Sequence, residues 1–165
     1  MEPVDAALLV LRVVVGATMI LHGLNHWLGG GRIEGTAGWF ESLGLRPGRA
    51  QAWASVVTEI GAGAALVLGL FTPLASAVII SVMLVAGITA HRGNGFFVFK
   101  DGYEYVLVLG VVAAVLSVTG PGALALDGAL GTGVVGWTGG AVAVGLGAAG
   151  TALLLAVTWR PSRQV

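Results

Sequence analysis

The sequence predicts an all-α integral membrane protein, and three observations carry that reading. Of 165 residues, 56% are hydrophobic and only 10% are charged, against about 25% charged in a soluble domain. So few charges cannot cover a water-facing surface, and the mean hydropathy is +0.94. The apolar residues also fall in continuous runs of span length, not in the short alternating stretches of a membrane β-barrel. Finally, the 28 glycines lie inside those runs, where they suit close helix packing in lipid. The net charge is zero, so nothing suggests a nucleic-acid partner. Cysteine is absent, which removes thiol chemistry, disulfides and Cys-ligated metals from this chain.

Five spans are predicted, at residues 6–27, 50–71, 74–91, 103–119 and 133–159, each near the roughly 20 residues a bilayer requires. The start, Met1-Glu2-Pro3-Val4-Asp5, is acidic where a signal peptide is basic, so the first span is expected to be retained. Thr72-Pro73 stops the second span and Gly120-Pro121-Gly122 the fourth. Residues 29–49 place Trp39 and Phe40 among polar neighbours, as an interfacial helix or re-entrant turn does. Arg32, Arg46 and Arg49 fall in the first loop, Arg92 and Lys100 in the third, and Arg160 and Arg163 in the 160–165 tail. Basic residues mark the cytoplasmic side, so the N-terminus is expected outside and the tail in the cytoplasm, in the cell membrane. The last span carries Gly136, Gly140, Ala143 and Gly147 four or three residues apart. Such a stripe packs against another helix, within the chain or on a partner.

Within these spans sit residues that are expensive in lipid. A charge in the bilayer core costs about 3 kcal/mol or more, so it usually faces the bundle interior and marks a functional site. His22 and His26 are four residues apart and share a helix face. Asn25 lies between them, Glu59 is deep in the second span, His91 ends the third, and Tyr103 and Glu104 open the fourth. Antiparallel spans bring all of these to one leaflet, on the predicted cytoplasmic side. Histidine and carboxylate together can relay protons, hydrogen-bond a quinone, or ligate a metal. Two histidines on one helix cannot supply both axial ligands of a haem, so His91 would have to be the second. Structural alternatives exist for each: His22 or His26 can cap a carbonyl, and Glu104 can pair with Arg92 or Lys100. Arg12 can snorkel outward or pair with a carboxylate inside the bundle.

The order of small motifs resembles the DoxX family of small bacterial and archaeal membrane proteins. The matching pieces run from Leu11-Arg12 and Gly16 to His22-Gly23, then Gly38-Trp39-Phe40 to Gly44-Leu45, Glu59-Ile60 with Gly63, and Leu68-Gly69-Leu70-Phe71-Thr72-Pro73. They continue through Gly95-Phe96-Phe97 and Gly102-Tyr103-Glu104-Tyr105 to Gly120-Pro121-Gly122 and Asp127. The resemblance covers residues 6–128 and implies a four-helix bundle, with the fifth span an addition. His22 falls on the family's motif, whereas the family often has Lys where this chain has Asn25-His26. It implies a redox setting, since relatives include a subunit of a thiosulfate:quinone oxidoreductase and proteins linked to thiol and oxidative stress.

The expectation is therefore a membrane subunit in which His22, Asn25, His26, Glu59 and Tyr103 bind a quinone. Glu59, His22, Glu104 and His91 would carry protons. No redox-centre motif is recognisable, so electrons would come from another membrane or peripheral redox protein, or from a soluble donor. The competing readings are a non-enzymatic accessory subunit of a respiratory or thiol-redox complex and a small-molecule carrier. No metal ligand is assigned.

Overall fold

The longest apolar run forms the longest helix. In the computed structural model, which describes residues 2–161, α1 spans Pro3–Leu28, 26 residues. Pro3 suits the first helical position because its missing N–H is one the helix could not use. Asp5 then accepts from Glu2 N at 3.1 Å and from Ala123 N at 2.8 Å, which ties the start of the helix to a distant loop. The predicted interfacial segment contains α2, Arg32–Ser42. It is followed by α3, Gly48–Leu68, and α4, Thr72–Ala86. The helical path of α4 continues through a π turn at Gly87–His91 and a 3₁₀ turn at Arg92–Asn94. After a second 3₁₀ turn at Val98–Lys100 come α5, Glu104–Thr119, the short α6, Leu126–Leu130, and α7, Gly136–Thr158.

Four of these segments are long and apolar enough to cross a membrane: Pro3–Leu28, Gly48–Leu68, Thr72–Asn94 and Gly136–Thr158. The chain is thus a multi-pass membrane protein. The predicted span at 103–119 is the exception in length. Its helix, α5, has 16 residues, about 24 Å at 1.5 Å per residue, against a hydrocarbon core of about 30 Å.

Polar contacts at both ends fix the directions. Asp5 meets Ala123 beyond α5, while His22 meets Tyr105 at its start, so α1 and α5 are antiparallel. The C-terminal end of α7 returns to the first loop. Trp159 Nε1 donates to Leu43 O at 3.0 Å, and Arg160 N donates to Gly44 O at 2.7 Å. The end of α1, α2, the start of α3, the end of α4, the start of α5 and the end of α7 therefore share one face. Arg32, Arg46, Arg49, Arg92, Lys100 and Arg160 lie there; Arg163 is outside the described residues.

The core runs through the middle of the bundle, from Val15 and Met19 of α1 and Leu66 of α3 to Ile79 and Met83 of α4 and Leu109 and Leu116 of α5. Ala143 of α7 is also fully buried in it. The small-residue stripe of α7 packs inside the chain: a side chain added at Gly140 would strike Val118, and one at Gly147 would strike Ile80. Gly136 is not part of that contact. It opens the helix with φ +69 and open space around it.

Helices α1 and α3 approach closely enough for their backbones to touch. A Cβ on Gly16 would lie 2.5 Å from Gly63 O, and one on Gly63 2.5 Å from Gly16 O. Backbone meets backbone here, so no side-chain rotation can relieve the clash. Gly16→Leu is expected to destabilise the bundle by on the order of 1–3 kcal/mol, read as a lower unfolding midpoint in detergent. An unchanged midpoint would show that α1 and α3 can separate freely.

Candidate functional site at the arginine-rich end

The site begins with a carboxylate inside a helix pair. Glu59 lies on the inner face of α3 and is only 3% exposed. One turn earlier on the same face, Ser55 donates its hydroxyl to Glu59 Oε1. His26 Nε2 lies 3.7 Å from that oxygen. The other oxygen, Oε2, is buried without a hydrogen-bond partner among the described residues. Buried carboxylate oxygens are normally satisfied, so an orphaned one requires a reason.

The approach that brings α1 to Glu59 depends on Gly23. A Cβ there would lie 3.2 Å from both Val56 O and Glu59 Cβ. The His22-Gly23 pair thus has a steric meaning: the glycine lets the end of α1 touch α3 beside the acid. His26 is then fixed by α2. Its ring stacks on Trp39 at 6.1 Å and tilts against Phe40 at 5.6 Å. Its backbone carbonyl accepts from Thr36 Oγ1 at 3.0 Å.

Glu59 and His26 open onto a cavity of about 400 Å³. Its walls come from α3, α4 and α7, with Trp39, Phe40, Leu43 and Leu45 over its end. Most of the lining is aliphatic, including Val78, Val82, Leu146 and Leu154. The polar groups are few and gather near Glu59: His26, Gln51, Ser55 and Thr58 from α1 and α3, then Ser81 and Thr89 across the gap. A largely apolar cavity with a few convergent polar groups is the usual form of a small-molecule site.

The other residues singled out in the sequence lie elsewhere. His22 turns away from the cavity, and its Nε2 is 3.1 Å from Tyr105 OH with the two rings stacked at 5.7 Å. Asn25 is exposed. His91 Nδ1 donates to Asp101 O at 2.7 Å, and Glu104 accepts from Val98 N at 3.0 Å. Tyr103 stands edge-on to Phe96 at 5.5 Å. The expected convergence of three histidines and two carboxylates therefore resolves into three places, with His22 set against Tyr105. His26 and Glu59 share the cavity, while His91 and Glu104 shape the loop between α4 and α5. The reason is local: both loop residues have backbone partners within ten positions, which hold them at the surface. Among the described residues, no three His, Asp or Glu side chains come together as a metal site would need.

Three contributors were missed in the sequence: Ser55, the aromatic pair Trp39 and Phe40 as a cover, and α7 as a wall. Ser55 had a readable signal, its spacing of four from Glu59 on one helix face. Arg12 takes neither course expected of it. It is fully buried and donates to the carbonyls of Val67, at 3.2 Å, Leu66 and Leu124.

A family model described as DoxX matches residues 7–92, just over half of the chain, from α1 to the end of the π turn. No curated protein and no solved structure matches the chain. The matched segment holds His22-Gly23, His26, Ser55 and Glu59, and with them the buried acid and the helix approach that creates it. On that match the chain belongs to the DoxX family of membrane proteins.

Proposed function

We propose that the cavity beside Glu59 binds a quinone headgroup and that the protein serves a quinone-linked redox system of the membrane. One observation carries the reading: Glu59, whose Oε2 is buried without a hydrogen-bond partner among the described residues, is part of the lining of a largely aliphatic cavity of headgroup size. A quinol hydroxyl is a donor suited to that oxygen, and His26 can donate to or accept from the same ring oxygen. An isoprenoid tail suits the aliphatic walls.

A quinone supplies two-electron, two-proton chemistry when bound. For its part, Glu59 offers an acceptor in a site screened from water, which strengthens each polar contact. Ser55 and His26 hold that carboxylate in place, while Trp39 and Phe40 hold His26. Electrons come from a partner protein or soluble donor. The basic residues clustered at this end support a cytoplasmic orientation for it, with the N-terminus outside and the C-terminus within the cytoplasm.

Gly150 provides the test. It lines the cavity from α7, and a Cβ there would meet Ser81 Oγ at 3.4 Å, an ordinary contact. Gly150→Leu should fold, fill the cavity and leave little quinone in lipid extracts of the purified protein. A variant of unchanged quinone content would remove the cavity from the proposal.

A further inference from the structure

A second cavity lies on the opposite side of α4 and has no part in the site above. It is a groove of about 460 Å³ between α4 and α5, closed at one edge by Val144 of α7. Its floor is aliphatic, with Met83 and Val106 buried along it. Gly87 and Gly110 also line it, and neither is there to let helices touch. A Cβ on Gly87 would find Val106 Cγ2 at 3.5 Å, and one on Gly110 would find Met83 Cβ at 3.8 Å. Both distances are comfortable, so the missing side chains leave a channel along the helix pair. Arg92 and Tyr103 also line the groove, at the arginine-rich end. Arg92 is exposed, lies 5.7 Å over the Trp159 ring, and has no carboxylate partner among the described residues.

We infer that this groove is a binding site for an anionic phospholipid, with one acyl chain along Gly87 and Gly110 and the phosphate at Arg92. The two halves of the groove match the two halves of such a lipid. The apolar floor takes a chain that would otherwise face a gap in the protein surface. The guanidinium, held over Trp159 at the end of a membrane segment, stands at headgroup depth, and a basic pocket between spans on this side is a recognised form of acidic-lipid site. Its planar donors suit a phosphodiester. The inference is independent of the quinone reading, because the two cavities are formed on different faces of α4.

The test is native mass spectrometry of delipidated protein titrated separately with palmitoyl-oleoyl phosphatidylglycerol and phosphatidylcholine. Wild type should retain the anionic lipid about fivefold better, the effect of one well-placed basic residue. Arg92→Gln should abolish the preference while still retaining some lipid, and Gly110→Leu should reduce retention of both lipids. Arg160→Gln, at the same end but outside the groove, should leave the preference intact. Equal retention of both lipids by wild type overturns the inference, as does a preference that survives Arg92→Gln. Loss in Arg160→Gln as large as in Arg92→Gln also overturns it, because the attraction would then be diffuse.

Discussion

Glu59→Gln is expected to leave the protein folded and to lower its bound quinone by about tenfold to a hundredfold, the range set by loss of one charge-assisted hydrogen bond. The substitution is chosen for what it keeps. A glutamine carbonyl still accepts from Ser55, so the contact that orients the side chain within α3 survives. The shape of the cavity wall is unchanged, as is the stack of His26 on Trp39. What is lost is the carboxylate oxygen that has no partner among the described residues; an amide NH₂ in its place presents a donor where a quinol hydroxyl needs an acceptor. The measurement is the molar ratio of quinone to protein after gentle extraction, with the thermal midpoint taken on the same samples. An unchanged ratio in a folded variant would sink the quinone reading. His26→Phe should keep the aromatic stack and show a smaller loss, because His26 reaches the acid only at 3.7 Å.

The polar site was partly legible in the sequence because burial of charge in a span is itself a signal. Glu59 stood out by its depth, and antiparallel order placed it in the leaflet where α1 ends. The resemblance favoured His22 over His26 for proton transfer with Glu59, whereas His26 is the histidine beside the acid and His22 meets Tyr105. Both lie near one stripe of α1, and the choice rests on which neighbour each ring meets, Tyr105 or the Trp39–Phe40 pair. The sequence could not separate His91 and Glu104 from the site. Membership in a leaflet follows from topology, but a few ångströms of lateral distance do not. The loop Gly95–Tyr103 captures both residues through backbone groups whose positions depend on turn geometry.

The role of α7 was the least legible part. Its pattern of small residues signalled packing without naming the surface. In the structure that surface is the outer side of α4 and α5, and the consequence is functional. Leu146, Gly150 and Leu154 then form one wall of the cavity, although α7 lies beyond the segment matched by the family model. The acid thus belongs to the matched segment, and part of the cavity's shape is supplied by a helix outside it.

Asp127→Ala is expected to destabilise the fold by about 3 kcal/mol, since it strands three donors at a site closed to water. Asp127 is 1% exposed. It accepts from Phe71 N at 2.7 Å, Thr72 N at 2.9 Å and Thr132 Oγ1 at 2.9 Å. Two of these donors are the free N–H groups at the start of α4, so the carboxylate acts as that helix's cap from a distant loop and meets the positive end of its dipole. It also holds Phe71 in the left-handed region, at φ 47, a conformation a bulky residue does not take unaided. Burial pushes the Asp127 carboxyl up, but donors from Thr72, Thr132 and Phe71 outweigh it and hold the group below its ordinary value of 3.8. A group lowered in the folded state adds stability above its unfolded value, and that stability is lost as pH falls through the folded one. The unfolding midpoint of wild type should therefore decline on acidification below about pH 4. Asp127→Asn, which keeps one acceptor but cannot titrate, should be less stable at neutral pH and show a flatter curve. Parallel pH curves for the two proteins would mean that the charge on Asp127 does not hold the α3–α4 turn.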